Sequence, residues 1–166
     1  MAQDMIKNNH IVAESTNILS THFGGGHIYS IEVADDMDNG LLVARNEYLG
    51  DEVWSNKEYA AGEEALLLLN PPVMPFTEVR EFATEDRFFN KKGDRVRAYT
   101  LRVGDRITLS ENAFAAAPAE KDFVTFDAAA KQYVVGAKDE SQFCAQVLSK
   151  IVRSNMVMYK IQVVSL

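Results

Sequence analysis

The sequence predicts a mainly β fold: a small β-barrel or sandwich-like domain with one or two short helices and an extended N-terminal arm. Three observations carry this. Runs of β-branched and aromatic residues with two-residue alternation follow one another from Ile28 onward. Turn signals rich in Gly, Asp and Asn separate those runs at close intervals, which suits a barrel or sandwich. Residues 1–26 hold neither a helical nor an alternating period and run into Gly24-Gly25-Gly26, which gives the chain freedom rather than structure.

The elements follow in order. Residues 1–26 read as a flexible arm, and residues 27–166 as one β-rich domain. His27-Ile28-Tyr29-Ser30-Ile31-Glu32-Val33 alternates as a strand. Asp35 to Gly40, ending in Asn39-Gly40, reads as a polar hairpin turn before a short strand Leu41-Leu42-Val43-Ala44. Glu52-Val53-Trp54-Ser55 and Glu64 to Leu69 are further short strands, the latter stopped by Asn70-Pro71-Pro72. Residues 76–92 mix Phe with charges at three- and four-residue spacings, an aromatic loop or a short helix near Thr84 to Asn90.

Residues 93–166 are strand-rich. Gly93-Asp94-Arg95-Val96 is echoed by Gly104-Asp105-Arg106-Ile107, a turn that twice hands over to a strand. Phe123 to Phe126 with Gln132 to Val135 forms one hairpin, and Gln142 to Val152 with Met156 to Val164 a closing one. Ala113 to Ala119 reads as a loop.

Composition narrows the function. A net charge of −7 repels phosphate backbones and argues against nucleic-acid binding. The single cysteine, Cys144, cannot form an intrachain disulfide, which fits a reducing compartment. No apolar stretch is long enough to span a bilayer, and the first residues lack a secretory apolar region, so no membrane role is expected.

The chemical motifs fail one by one. His10, His22 and His27 lie in the arm or at its edge, a poor place for a rigid general base. His22 and His27 have no carboxylate or cysteine cluster beside them, so no metal is expected. An EF-hand alignment on Gly40 puts Met37 and Asn46 where ligands belong. Tyr29 occupies the last glycine position of a dinucleotide fingerprint, and no nucleophile elbow occurs. No cofactor and no catalysis are expected.

Arg80, Arg87, Lys91, Lys92, Arg95 and Arg97 interleave with Phe82, Phe88 and Phe89. Acidic neighbours cancel most of that charge, which favours a protein interface over single-stranded nucleic acid. Candidate partner-binding residues are therefore Phe82, Arg87, Phe88 and Phe89, together with Ile11, Val12, Ile18, Leu19 and Phe23 of the arm.

Tyr29-Ser30, then Ala34 to Ala44, then Pro72-Val73-Met74, Phe89 to Leu101 and Val103 to Ser110 resemble head decoration, or auxiliary capsid, proteins of tailed bacteriophages. The resemblance covers residues 28–114. It implies a non-enzymatic virion protein, made in the host cytoplasm, that binds the outside of an assembled shell. Its partners would be the major capsid protein and neighbouring copies of itself, as a homo-oligomer on the lattice. Alternatives left open are another virion part (a head-fibre base or tail protein) and a small β-barrel ligand-binding domain or enzyme. On this reading, removal of residues 2–23 leaves the β domain folded and weakens attachment.

Overall fold

The computed structural model describes residues 10–22, 26–71, 85–153 and 156–166. Among them the strands run β1 (Ala13–Asn17), β2 (Ile28–Glu32), β3 (Leu42–Gly50), β4 (Val53–Glu58), β5 (Leu66–Leu68), β6 (Arg95–Thr100), β7 (Arg106–Ser110), β8 (Phe123–Asp127), β9 (Gln132–Gly136), β10 (Cys144–Arg153) and β11 (Met156–Ser165). The described helical pieces are single 3-10 turns at Leu19–Thr21, Glu85–Arg87 and Glu111–Ala113. The fold is mainly β, as the alternating runs require.

Strands β2, β4, β3, β5 and β6 close into a barrel in that order. The others form a six-stranded sheet ordered β1-β7-β11-β10-β8-β9. Both anticipated hairpins are present, as β8 with β9 and β10 with β11. Strands β2 and β4 are parallel, so the chain must travel back along the barrel between them, and β3 does this.

That path corrects the reading of Asp35 to Gly40 as a hairpin turn. Strand β2 pairs with β4 and β6, whereas β3 pairs with β4 and β5. The stretch instead crosses toward the sheet and is held by asparagines. Asn39 Nδ2 donates to Asn70 O at 2.8 Å, and Asn70 N–H donates to Asn39 Oδ1 at 2.9 Å. Buried Asn90 donates to Met37 O at 3.1 Å and to Asn39 Oδ1 at 3.2 Å. Gly40 has φ +83°, and a Cβ there would lie 2.7 Å from Leu109 Cδ2 and 2.9 Å from Ala13 Cβ. Glycine is required both by the left-handed backbone and by the close approach of β1 and β7.

One continuous core joins barrel and sheet, from Ile31, Leu42 and Leu66 to Leu109, Phe143 and Ile161. Two tyrosines stitch the halves. Tyr133 Oη donates to Gly40 O at 2.7 Å, and Phe143 N–H donates to Tyr59 Oη at 3.0 Å. Burial pushes both phenols above the ordinary tyrosine range; for Tyr59 the bond from Phe143 opposes this in part.

The described part of the expected arm is not a free tail. Strand β1 pairs antiparallel with β7, and Ile11, Val12 and Ile18 are buried in this chain's own core. Polar bonds pin the segment at both ends. Ile11 N–H donates to Asp38 Oδ2 at 3.1 Å, Leu19 N–H donates to Asp105 Oδ1 at 2.8 Å, and Ser20 Oγ donates to Thr100 O. Residues 10–22 therefore clasp barrel and sheet together, and the domain boundary drawn at the glycines does not hold for them. The physical reason is that an edge strand needs only one apolar face and one ladder, both supplied here by residues about ninety positions later.

The repeated Gly-Asp-Arg turn does have one geometry. Asp94 Oδ2 accepts Lys91 N–H at 2.8 Å, and Asp105 Oδ2 accepts Arg102 N–H at 2.8 Å. Gly93 and Gly104 supply the positive φ that each turn needs. Of the short helix expected near Thr84 to Asn90, the described part is the 3-10 turn Glu85–Arg87, after which Asn90 bridges to Met37.

Candidate interaction surface

The register of the barrel fixes which side chains share its inside. Tyr29 lies opposite Ala98, and Ile31 opposite both Val96 and Trp54. Arg45 lies opposite Asn56, and Leu66 opposite Thr100. A bulge between Arg45 and Tyr48 puts one extra residue in β3, so Tyr48 falls on the same side as Arg45, opposite Trp54. Tyr29, Arg45, Tyr48, Trp54 and Glu64 thus gather at one end of the barrel, beyond the aliphatic filling of Ile31, Val43, Leu66 and Val96.

Contacts confirm the cluster. The Arg45 guanidinium lies 4.3 Å from the Tyr29 ring centroid and 4.9 Å from that of Trp54. Its Nη2 is 3.0 Å from Glu64 Oε2, and Glu64 Oε1 accepts Thr100 Oγ1 at 3.2 Å. The Tyr48 and Trp54 rings are 5.0 Å apart. A planar cation clamped between rings and anchored by a carboxylate is held in one pose, so little conformational entropy is left to lose on binding.

The hairpin of β3 and β4 extends this surface. Asp51 and Glu52 both have positive φ, which makes the two-residue turn compatible with the strand twist. Glu52 N–H donates to Tyr48 Oη at 3.2 Å and braces the tip. Tyr48 is 52% exposed and Leu49 is 50% exposed. Rigid Tyr, Trp and Arg side chains around an exposed aliphatic group are the composition that dominates protein–protein binding energy.

The residues singled out from sequence are distributed differently. Leu19 is exposed, whereas Ile11, Val12 and Ile18 face inward. Phe89 stacks on His10 with centroids 4.8 Å apart, so it closes over the clasp. Phe88 and Arg87 are half-buried beside it. Phe23 and Phe82 lie outside the described residues, as does most of the stretch 76–92. The barrel-end cluster was missed. Its one local signal is a pair of aromatics, Tyr48 and Trp54, flanking Gly50-Asp51-Glu52; Tyr29 and Arg45 join it only through strand pairing.

The clefts have a different character. His10 Nδ1 is 2.7 Å from Asp38 Oδ1, which orients the ring, and His10 lines a cleft of about 620 Å³ with Ser110 and Glu111. Ser110 is buried, and its Oγ accepts Val12 N–H at 2.8 Å and donates to Asn112 Oδ1. The hydroxyl is committed to the clasp, not poised against the imidazole. Among the described residues no group of three or more His, Cys, Asp or Glu side chains could hold a metal ion, and no helix is long and apolar enough to cross a membrane. No family model, curated protein or solved structure matches the chain.

Proposed function

We propose that the chain is a capsid decoration protein. It binds the outer surface of an assembled tailed-bacteriophage shell, contacts neighbouring copies of itself there, and reinforces the joints between major capsid subunits. The observation that carries this reading is the barrel-end cluster. Its Arg45 is already neutralised by Glu64, so the surface suits protein more than an anionic ligand. The resemblance over residues 28–114 supports the phage shell as the partner.

Many copies on one lattice gain avidity, so a modest contact per copy suffices. A binder that prefers the assembled shell also stabilises it by mass action. The test mixes purified chain with assembled empty shells and, separately, with unassembled capsid subunits. Saturable co-sedimentation with shells, together with a raised temperature of shell disruption, is expected. Equal binding to unassembled subunits, or no saturable binding to shells, overturns the proposal.

A further inference from the structure

Among the described residues strand β1 is an edge: its one neighbour in the sheet is β7. Val12 O accepts Ser110 N–H at 2.9 Å, which sets the phase of the ladder. Glu14, two residues on, faces β7 in the same way, so the N–H and C=O groups of Ala13 and Ser15 point outward. Among the described residues no hydrogen bond takes up these four groups. They open on a cleft of about 510 Å³ between β1 and the barrel, whose walls include Tyr99, Arg97 and Arg153.

The described lining of the cleft is basic in a chain of net charge −7. Arg97 lies on the outer face of β6, opposite Ser30, is exposed, and among the described residues has no carboxylate within ion-pair distance. Arg153 pairs with Glu14 of the edge strand itself. Among the described lining residues two guanidinium groups thus accompany one carboxylate.

We propose that this edge is a strand-addition site for an extended acidic segment of a partner protein. The segment's backbone continues the ladder at Ala13 and Ser15, and its carboxylates meet Arg97 and Arg153. Alternating donors and acceptors fit a peptide backbone, whereas a phosphate would use the donors alone. The guanidinium fork then selects carboxylate over neutral side chains. The site is independent of the shell reading, because it specifies the ligand's chemistry and not its owner.

The test uses the full chain and a fluorescein-labelled peptide alternating Glu with Val, with a Gln–Val peptide as control. Saturable binding of the Glu peptide is expected, weakened about tenfold by Glu-to-Gln exchange and about tenfold by Arg97→Gln. Ser15→Pro removes an outward donor without touching the ladder to β7, so it should abolish binding while the melt stays near that of the parent. Should that variant fail to fold, amide spectra of the parent decide: Ala13 and Ser15 must be among the signals that the Glu peptide moves. Equal binding of the two peptides, or shifts confined elsewhere, overturns the proposal. So does a self-association through this edge that Ser15→Pro dissolves, since the occupant would then be a second copy.

Discussion

At Gly40 two demands coincide: a φ of +83° and the nearness of Leu109 and Ala13. Gly40→Ala meets both penalties and should destabilise the protein by about 2–4 kcal/mol in a urea melt, from left-handed strain plus overpacking. The Gly40 carbonyl accepts the hydroxyl of Tyr133, which is fully buried in the core. Burial raises this phenol above its ordinary value of 10.0, so ionisation is far easier in the unfolded chain. A raised folded value means that stability is intact below that ordinary value and falls as pH climbs past it. The loss should approach about 1.4 kcal/mol per pH unit for one proton. Urea melts between pH 8 and about pH 11 check this, and Tyr133→Phe should flatten the alkaline limb while costing about 1 kcal/mol at pH 8 through the lost bond to Gly40.

At the scale of elements, most strands were legible because alternation and turn chemistry agree locally. Strand β6 reads straight from Arg95 to Thr100, its buried positions alternating with exposed ones. Strand β3 was legible only as far as Ala44, because the bulge after Arg45 breaks the alternation through which its second half would be recognised. Strand β1 was illegible for a related reason: it is five residues long, its register shifts after Ser15, and its ladder partner is distant in sequence. Its importance shows in the count of buried groups. Ile11, Val12 and Ile18 are each worth about 1.5–3 kcal/mol on burial, and together they approach the roughly 5–15 kcal/mol that holds a domain folded. Deletion of residues 2–23 is therefore expected to abolish the cooperative thermal melt, contrary to the expectation that the β domain stays folded without this segment. A melt within a few degrees of the parent would show that the clasp is superfluous.

At the scale of the whole molecule, the candidate surface was the least legible part, since it is assembled by barrel closure from β2, β3, β4 and the approach to β5. No window of sequence holds Tyr29, Arg45, Trp54 and Glu64 together. The double variant Tyr48→Ala, Leu49→Ala removes exposed groups at the hairpin tip, so its melt should stay within about 1 kcal/mol of the parent while shell binding weakens by about 2 kcal/mol per copy or more. Unchanged co-sedimentation would place the contact elsewhere on the molecule. The clasp also bears on how the protein is made. Strand β1 leaves the ribosome early, yet its partner β7 begins at Arg106, and the other neighbour of β7 is β11, which ends at Ser165. Strand β1 must wait, with its apolar residues unburied, until β7 and then β11 have been synthesised. Closure of the barrel can precede that moment, but completion of the sheet cannot. The nascent chain thus carries an unsatisfied strand edge from the making of β1 to that of β11, a stage at which crowding with sister chains would favour mispairing.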